Sequence, residues 1–337
     1  MPLTTGTTAD GSVNPLEQIV GFFATYVDTK PHYLVGLALW AFHSHIYNQY
    51  SRSPRLAILS PVPNCGKSKV LDILGAMVWN PKRLIDPTVA STFRLASAHT
   101  LLIDEVDNMS ILKNMRSILN DGHSVGGCVP RTGKDGKVIS YPVYGPVALA
   151  GIGRLPATLM SRSLIIRMHR STKAMERFTL REQYFAADFY AWAEQADLNP
   201  DPKMPTKLVG READKWRPLI AIADYFDRGE IARDFALEFL KESDTLDIKE
   251  SVLRDTEKVF NRAKTNILSA DTLYQKLVED NDGEFDVDYI EDKMTKRVIG
   301  NILAEFQIRS RPHRYKGGAP KRCWFREDFE EMWERYS

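Results

Sequence analysis

The chain has 337 residues, a hydrophobic fraction of 43%, a charged fraction of 26% and a formal net charge of +1. These values are ordinary for a globular protein of about two domains. Because the net charge is small, the protein as a whole has no strong positive electrostatic field that would attract a polyanion, and any basic surface must be local. Cys65, Cys128 and Cys323 lie far apart without a CxxC pair. This spacing argues against structural zinc and indicates a reducing compartment.

The N-terminal region is predicted to begin with a disordered stretch and to continue with helices. Residues 1–14 are rich in Thr, Gly and Asp and lack the basic and apolar regions of a signal peptide, and no stretch of the chain approaches the roughly 20 apolar residues of a membrane span. The sequence therefore predicts a soluble cytoplasmic protein without membrane partners. Residues 15–50 have helix-spaced apolar and aromatic residues, which predict two helices. His43 and His45, without a nearby acidic partner, are interpreted as packing or surface residues rather than ligands.

The stretch SPVPNCGKS, Ser60 to Ser68, has the order expected of a phosphate-binding loop. An apolar run precedes it and a helical pattern follows it, so the backbone N–H groups of the loop can wrap phosphates. Lys67 would reach the β and γ oxygens of a bound ATP, and Ser68 would ligate Mg²⁺. Because Pro61 replaces the usual first glycine, Pro61 and Pro63 are expected to make the turn. The predicted nucleotide-binding residues are Pro63, Asn64, Cys65, Gly66, Lys67, Ser68 and Lys69.

The stretch TLLIDEVD, Thr100 to Asp107, is typical of a buried strand that ends in two carboxylates. Asp104 at the strand end can hold the water shell of Mg²⁺, together with Ser68. Glu105 can orient the attacking water and so act as a catalytic residue with Lys67. A buried strand followed by a solvated acidic turn is the structural alternative.

Short apolar strands alternate with helices over residues 51–170. The predicted strands are Leu56–Ser60, Leu84–Ile85, Leu101–Asp104, Val147–Ala150 and Leu164–Met168. This alternation predicts an α/β fold with a mostly parallel sheet and helices on both faces. Ligands bind at the carboxyl ends of strands in such sheets, where Ser60 and Asp104 both lie.

An inserted β-hairpin is predicted over residues 126–146. Val129–Thr132 and Lys137–Tyr144 have strand character, and the Asp-Gly pair between them favours a turn. Lys134 and Lys137 make the tip basic. A solvated hairpin and a hairpin that contacts a DNA backbone both remain open.

The C-terminal part of the chain divides into a helical region, residues 171–265, and a region with separated charges, residues 266–337. Asp271 to Asp292 is strongly acidic, and Lys293 to Arg322 is strongly basic. The basic block is predicted to form a helix (Met294 to Phe306), a strand (Ile308 to Arg311), a Gly-rich turn and a second strand (Arg322 to Phe325), with a final helix from Glu327. This order is typical of a winged-helix domain, which can bind DNA. The candidate DNA contacts are Arg311, Arg314, Lys316, Lys321 and Arg322, and a basic face that packs only against the core is the alternative.

Several long stretches together resemble a known family. They are LALWAFHSH, LAILSPVPNCGKS, TLLIDEVD, LNDGHSVGG, VALAGIGRLPATLMSRSLIIRMHR, DKWRPLIAIADYF and IRSRPHRYKGGAPKRCWFREDFEEMWERY. Between about residue 15 and residue 337 the chain resembles the uncharacterised domain family 3631, a group found in phage, plasmid and genomic-island proteins beside or within replication helicases and primases. More widely, it is similar to AAA+ and superfamily-3-like ring ATPases of the P-loop (ASCE) class, which implies a helical lid over residues 171–265.

This resemblance implies roles for further residues. Lys67 and Ser68 would be the Walker A pair, and Asp104 and Glu105 the Walker B pair. Arg162, with Arg154 as second choice, would reach the γ-phosphate in a neighbouring subunit, with a surface ion pair as the alternative. Arg217 would be a lid arginine or a partner in a salt bridge at the start of a helix. The stretch ALAGIG departs from the ring ATPases, because it supplies only glycines, Gly151 and Gly153, where they present Asn or Thr.

The leading functional hypothesis is a ring-forming ATPase that hydrolyses ATP with Mg²⁺ to move or remodel DNA. The ring is expected to be a homo-oligomer, namely a hexamer. It predicts a replication helicase or translocase of a mobile genetic element that acts on single-stranded or forked DNA, with a primase or another replication protein as partner. A nucleotide-gated regulator or helicase loader with slow or no hydrolysis is the alternative. A transcription factor with a relic of the phosphate loop is a third reading, and it would depend on the wing alone.

Overall fold

The computed structural model describes residues 14–106, 109–133, 135–153, 155–179, 185–278, 294–315 and 318–336. They fall into two compact units, of which the first ends at Leu240 and the second begins at Lys241. The predicted disordered stretch, residues 1–14, lies outside the described residues except for Asn14.

Two helices open the first unit, as the sequence predicts. Helix α1 (Pro15–Tyr26) begins at Asn14, whose Oδ1 accepts a hydrogen bond from the backbone N–H of Leu16 at 3.0 Å. Helix α2 (Pro31–Ile46) begins with Pro31, whose missing N–H costs nothing at the first helical position. Almost every residue of α2 is buried, so this helix is part of the core.

His43 on α2 is a packing residue, which confirms the sequence interpretation. Its ring is fully buried, and its Nε2 lies 3.0 Å from Oγ of Ser53. Burial lowers the pKa of His43 to about 3. His45 is more exposed, stacks on the ring of Phe189, and has a pKa lowered to about 4, first by burial. Both imidazoles are therefore neutral at pH 7.

Strands and helices alternate through the rest of the first unit. In chain order they are β1 (Arg55–Ser60), α3 (Lys67–Gly75), β2 (Pro81–Ile85), α4 (Val89–Leu95), β3 (Thr100–Asp104), α5 (Met109–Asp121), β4 (Cys128–Thr132), β5 (Val138–Pro142), β6 (Val147–Ile152), α6 (Ala157–Met160), β7 (Ser163–Arg167), α7 (Phe185–Gln195), α8 (Arg211–Tyr225) and α9 (Gly229–Ala263). The five predicted core strands are all present, at β1, β2, β3, β6 and β7.

These five strands form one parallel sheet in the order β2-β3-β6-β1-β7. All six residues of β1 and all five of β3 are buried, as expected for strands covered on both faces. Helix α3 packs on β1, β2, β3 and β6. The carboxyl ends of β1 and β3 therefore lie at the same edge of the sheet, with the end of β6 between them.

The predicted hairpin is also present. Strands β4 and β5 pair antiparallel, with Val129 opposite Tyr141 and Thr132 opposite Val138. The turn between them contains Gly136 with a φ of 77°, which a glycine adopts without strain.

Residues 171–179 differ from the expectation of a helical region that begins at residue 171. They form no helix, and the first helix after β7 in the described residues is α7 at Phe185. Exposed polar residues dominate the stretch RSTKAMERF, and it has no apolar face that would stabilise a helix by packing.

The second unit contains the last part of α9 and a small three-stranded sheet. Its other elements are β8 (Ile267–Ser269), α10 (Ala270–Val278), α11 (Lys296–Glu305), β9 (Arg311–His313), β10 (Lys321–Phe325) and α12 (Glu330–Tyr336). The antiparallel sheet has the order β8-β10-β9. The predicted strand Ile308 to Arg311 is displaced toward the turn, and β8 was not predicted because it has only three residues.

A separate apolar core stabilises the second unit. Phe260, Phe329 and Trp333 pack against one another with ring centroids between 5.1 and 5.6 Å apart. The indole N–H of Trp333 donates to the carbonyl of Leu253 at 3.1 Å, so its polar atom is satisfied inside the core. No helix in the described part of the chain combines the length and apolar composition needed to cross a membrane.

Candidate functional site

A loop of six residues, 61–66, connects the buried strand β1 to helix α3. Lys67 is the first residue of α3, and its Nζ donates to Oγ of Ser60, the last residue of β1, at 2.7 Å. Ser68 is exposed beside it. The first N–H groups of a helix have no partner within the helix, so the start of α3 presents donors and a positive dipole end to this loop. An anion held at this place would also meet the ammonium group of Lys67.

Two residues of the loop have left-handed backbone conformations, Asn64 with φ 62° and Gly66 with φ 82°. Asn tolerates this region better than most residues, and Gly adopts it without strain. The sequence predicts a turn made by Pro61 and Pro63, but the structure uses Asn64 and Gly66 for the tight bends. Cys65 is buried inside the loop, where its Sγ lies 3.3 Å from the carbonyl oxygen of Val62.

Asp104 and Glu105 end strand β3 with different exposures. Asp104 is 7% exposed, and its Oδ1 accepts a hydrogen bond from the backbone N–H of Glu105 at 3.1 Å. Glu105 is exposed and has a φ of 56°, which is uncommon for a residue other than Gly or Asn. The chain therefore turns sharply after Asp104, and the Asp104 side chain is buried whereas that of Glu105 is exposed.

Arg83 is a site residue that the sequence analysis missed. Its Nη2 lies 2.6 Å from Oδ2 of Asp104, and its Nη1 forms an ion pair with Asp72 on α3. The three side chains join β2, β3 and α3. No local motif marks Arg83, because its partners lie 11 and 21 positions further away in the sequence. The sequence offered only its position directly before the predicted strand Leu84–Ile85.

The register of the sheet fixes how Lys67 and Asp104 are arranged. Ser60 pairs with Ile152 of β6, and Ile103 pairs with Leu149 of the same strand. Neighbouring strands are about 4.8 Å apart, so β1 and β3 are separated by roughly 10 Å. Asp104 lies about two residues, or roughly 7 Å, before the level of Ser60 along the strands. The two predicted motifs therefore face one edge of one sheet.

A cavity of about 260 Å³ opens beside the loop. Asn64, Gly66 and Lys69 line one side of it, and Val27 and Met168 belong to the other walls. This volume is slightly smaller than the roughly 300–1,000 Å³ that is usual for small-molecule sites. The segments that follow α1 and β7 also line this cavity. Their part in it was not predicted, because they are far from the loop in sequence.

An ion pair ties the two non-loop walls of this cavity together. Lys173 donates to Oδ1 of Asp28 at 2.9 Å, and Ser171 donates to Oδ2 at 2.9 Å. The hydrogen bond from Lys173 is the first cause that holds the pKa of Asp28 below its ordinary value of 3.8. Residues 171–173 are thus held against the end of α1 while Asp28 is ionised.

The end of strand β6 lies between Ser60 and Asp104. The backbone N–H of Gly153 donates to the carbonyl of Ser60 at 2.9 Å, and the N–H of Val106 donates to the carbonyl of Ala150 at 3.0 Å. Gly151 and Gly153 place no side chain at this point. Arg154, the predicted substitute, lies outside the described residues.

Arg162 lies at the opposite edge of the sheet from Lys67. It precedes Ser163, which pairs with Arg55 at the start of β1. The five residue-to-residue steps from Arg55 to Ser60 correspond to roughly 17 Å along the strand. Arg162 thus does not join Lys67 and Asp104 within one chain. Arg217 forms an ion pair with Asp201, which agrees with the salt-bridge interpretation of that residue.

The basic residues predicted to contact DNA differ in whether acidic side chains neutralise their charge. Arg311 forms ion pairs with Glu327 and Asp328, and its guanidinium lies 3.9 Å from the ring centroid of Phe325. Arg322 donates to Oγ of Ser310 at 3.1 Å. Arg314 and Lys321 are exposed.

The hairpin tip and the acidic block add two further observations. Lys137 is exposed and lies 3.9 Å from a carboxylate oxygen of Asp135 in the same turn. Asp271 pairs with Lys296, so the acidic and basic blocks partly neutralise each other. Lys134, Lys316 and most of the acidic block, residues 279–293, lie outside the described residues.

The fold and this sheet edge define an α/β protein with a five-stranded parallel sheet and helices. Residues 166–336, just over half of the chain, match the family described as "Protein of unknown function (DUF3631)". The chain belongs to this family. The match begins within β7, so it covers less of the chain than the resemblance to this family that the sequence analysis places from about residue 15. It does not include the loop at Lys67 or the strand end at Asp104.

One relative is an "Uncharacterized 28.9 kDa protein in xis 5'region" from Saccharopolyspora erythraea. It is 32% identical to this chain over 154 residues, which are 43% of this chain and 57% of the relative. The chain therefore spans little more than half the length of that relative.

Proposed function

We propose that this protein is a Mg²⁺-dependent ATPase of the AAA+/helicase type, a ring-forming DNA helicase or translocase of a mobile genetic element. The observation that carries the proposal is that Lys67, at the start of α3, and Asp104, at the end of β3, face the same edge of the sheet with one strand between β1 and β3. In a P-loop ATPase the phosphates lie at the first of these places and the metal-binding carboxylate at the second.

The residues at this edge fit ATP and Mg²⁺ chemically. The N–H groups at the start of α3 and the Lys67 ammonium are suited to phosphate oxygens, and the hydroxyl of exposed Ser68 and the carboxylate of Asp104 are oxygen ligands of the kind that Mg²⁺ takes. Bound Mg²⁺ supplies neutralisation of the charge on the phosphoryl oxygens. The cavity of about 260 Å³ beside Gly66 offers room for part of a nucleotide.

The chain's own residues would act by positioning and by proton transfer. Lys67 orients the phosphates, and Glu105 accepts a proton from, or orients, the attacking water. The left-handed backbone of Glu105 leaves its carboxylate exposed beyond the strand end rather than buried beside Asp104. Arg162 would act in a neighbouring copy, since it lies at the far edge of its own sheet.

The second unit supports DNA contact. Helices α10 and α11 followed by the pair β9 and β10 have the order of a winged helix, in which a helix enters a groove and the wing contacts phosphates. On α11, Arg297 and Asn301 are exposed four residues apart and so share a face. Arg314 and Lys321 extend this basic surface on the wing.

A nucleotide-gated regulator or helicase loader is the second candidate. Two observations favour it: Gly151 and Gly153 offer no polar side chain between the two motifs, and Arg83 occupies one oxygen of Asp104. Both features would slow hydrolysis without preventing nucleotide binding.

The test is ATP turnover with and without single-stranded DNA, in the wild type and in two variants. Lys67→Ala is expected to weaken ATP binding by roughly 10- to 100-fold, because a charge-assisted hydrogen bond contributes about 1.5–3 kcal/mol. The exposed Lys82→Ala is the matched control. Absence of ATP binding, or turnover that DNA leaves unchanged together with no DNA binding at low salt, contradicts the helicase proposal.

Glu105→Gln separates the two candidates. For a helicase, this variant should retain ATP and lose DNA unwinding or movement. For a regulator, it should retain ATP and leave partner binding and DNA work unchanged.

A further inference from the structure

The segment that follows strand β7, residues 168–178, contains neither helix nor strand, and we refer to it as the strap. Met168, Ser171 and Lys173 of the strap line the cavity of about 260 Å³ beside the phosphate-binding loop. The other walls of this cavity belong to the loop around Gly66 and to the chain that follows α1. A ligand that fills the cavity therefore lies between the strap, the loop and the end of α1.

The first residues of the strap are attached to β1 and to the loop. The backbone N–H of Met168 donates to the carbonyl of Leu59 at 2.7 Å, and Nε of Arg170 donates to the carbonyl of Pro63 at 3.4 Å. The methyl carbon of Met168 would lie 3.9 Å from a Cβ added at Gly66. This end of the strap is thus fixed beside the loop by main-chain and side-chain contacts.

The last residue of the strap is attached to helix α1. The ring of Phe178 packs edge-to-face on Phe22 and on Tyr26, with ring centroids 6.3 and 5.5 Å apart. This edge-to-face arrangement is a favourable one for aromatic pairs. The strap therefore runs from the loop to α1, and the residues between its two attachments pass along the cavity.

One carboxylate holds the middle of the strap. Asp28, which follows α1, accepts hydrogen bonds from Nζ of Lys173 and from Oγ of Ser171, each at 2.9 Å. The backbone N–H of Lys173 donates to Oγ of Ser171 at 3.0 Å, so the three residues form one network, which we call the latch. The side chain of Lys173 is 72% exposed and that of Asp28 is 23% exposed. Water and salt therefore compete with the latch, and it opens at a small cost.

The latch is the weakest of the three attachments. The contacts of Met168 and Phe178 bury apolar surface, whereas the latch is polar and partly exposed, so the middle of the strap opens before its ends. We infer that the latch is a gate: the strap opens when the latch breaks, and a nucleotide enters and leaves the cavity while the strap is open. That a nucleotide is the ligand rests on the proposed function, whereas the latch follows from the contacts alone.

A gate has a kinetic signature that distinguishes it from a binding contact. Both the association and the dissociation of the ligand pass through the open strap, so both rate constants are proportional to the population of the open state. Weakening the latch therefore raises both by the same factor and leaves the dissociation constant nearly unchanged. Loss of a side chain that contacts the ligand instead changes mainly the dissociation rate.

The first experiment measures opening of the strap without any ligand. A protease specific for arginine cleaves after Arg170 and Arg177, which are exposed residues of the strap. Asp28→Asn should raise the cleavage rate at both sites roughly two- to fivefold, which corresponds to about 0.4–1 kcal/mol. Cleavage after Arg314, an exposed residue of the second unit, is the internal reference and should not change.

The second experiment measures the entry and exit of a nucleotide in the full chain. The probe is ATP with a fluorescent label on its γ-phosphate, so that the label does not occupy the cavity. Association is followed in a stopped-flow instrument at several protein concentrations, and dissociation by a chase with unlabelled ATP. Asp28→Asn should raise both rate constants by the factor found for cleavage.

Three further variants make the comparison specific. Asp201→Asn breaks the ion pair with Arg217, away from the latch, and should leave cleavage and nucleotide kinetics unchanged. Asp28→Lys combined with Lys173→Asp restores opposite charges and should return both quantities toward their wild-type values. Ser171→Ala removes one donor and no charge, so it should act in the same direction as Asp28→Asn and remains informative if that variant does not fold.

The outcomes separate this inference from the proposed function. If wild-type protein binds no ATP while Asp28→Asn speeds cleavage of the strap, the proposed function fails and the latch stands. If ATP binds but its two rate constants are the same in wild type and Asp28→Asn, the gate fails and the proposed function stands. Unchanged cleavage in both Asp28→Asn and Ser171→Ala overturns the inference outright.

Discussion

Arg83 on β2 and Asp104 on β3 are joined by a contact of 2.6 Å between Nη2 and Oδ2. The same guanidinium pairs with Asp72 on α3, so one cation fixes the carboxylate to the helix that begins at Lys67. This relationship has two opposing effects. It holds Asp104 in one orientation, and it places a positive charge beside a proposed metal ligand.

The first prediction concerns this pair. Arg83→Gln removes the positive charge and should lower the Mg²⁺ concentration needed for half-maximal ATP turnover by roughly fivefold, about 1 kcal/mol, because Asp104 then attracts a cation more strongly. The maximal rate should fall, since Asp104 loses its fixed orientation. The measurement is a Mg²⁺ titration of turnover, with Lys82→Gln on the same strand as the control. An unchanged or higher Mg²⁺ requirement contradicts the prediction.

The second prediction compares two glycines. Gly66 has a φ of 82°, and an added Cβ would meet only Met168 at 3.9 Å, so the cost of Gly66→Ala is conformational and should be about 1–2 kcal/mol in the free energy of unfolding. Gly21 in α1 has nothing within 4 Å of an added Cβ, and Gly21→Ala should stabilise the protein by about 0.5–1 kcal/mol. Chemical denaturation measures both. Equal effects of the two substitutions would show that φ is not the cause.

The third prediction concerns stability at acid pH. Burial lowers the pKa values of His43 to about 3 and of His45 and His123 to about 4. In the unfolded chain these imidazoles titrate near 6.5, so the unfolded state binds more protons between pH 6.5 and about 4, and stability falls as the pH is lowered through this window. Each histidine adds a slope of up to about 1.4 kcal/mol per pH unit.

Unfolding free energies measured at several pH values between 7 and 4 test this. His43→Gln should reduce the slope in that window, although it also lowers stability at pH 7 through the lost contact with Ser53. Equal slopes for the wild-type protein and the His43→Gln variant contradict the assignment.

The fourth prediction compares two arginines in and next to strand β9. Arg314 is exposed, whereas Arg311 is held by Glu327 and Asp328. Arg314→Gln should therefore weaken DNA binding and reduce its dependence on salt by about one phosphate contact. Arg311→Gln should leave DNA binding nearly unchanged. Titrations at several salt concentrations measure both, and a larger loss for Arg311→Gln would mean that its ion pairs open on binding.

The sequence predicts the parts of this molecule that depend on local signals. The strands β1 and β3 are continuous apolar runs, and the turn of the hairpin has an Asp-Gly pair, so their positions follow from burial and turn chemistry. The edge at which Ser60 and Asp104 lie follows from the parallel arrangement of the strands.

The remaining features depend on contacts between residues that are distant in sequence. Arg83 has no motif, and only the pairing of β2 with β3 brings it to Asp104. Asp28 and Lys173 are 145 positions apart, so their ion pair could not be read from either segment. Strand β8 was missed because three residues give too short a pattern for a period to be recognised.

The backbone conformation of Glu105 has a consequence for the stability of the protein. A non-glycine residue with a φ of 56° costs of order 1 kcal/mol or more, and glycine would relieve that cost at this position. Folding alone thus favours a residue without a carboxylate here, whereas the proposed chemistry needs one. Variants selected only for thermal stability should accordingly accumulate substitutions at position 105 that abolish activity. Such a selection would therefore identify a functional residue through the loss of activity.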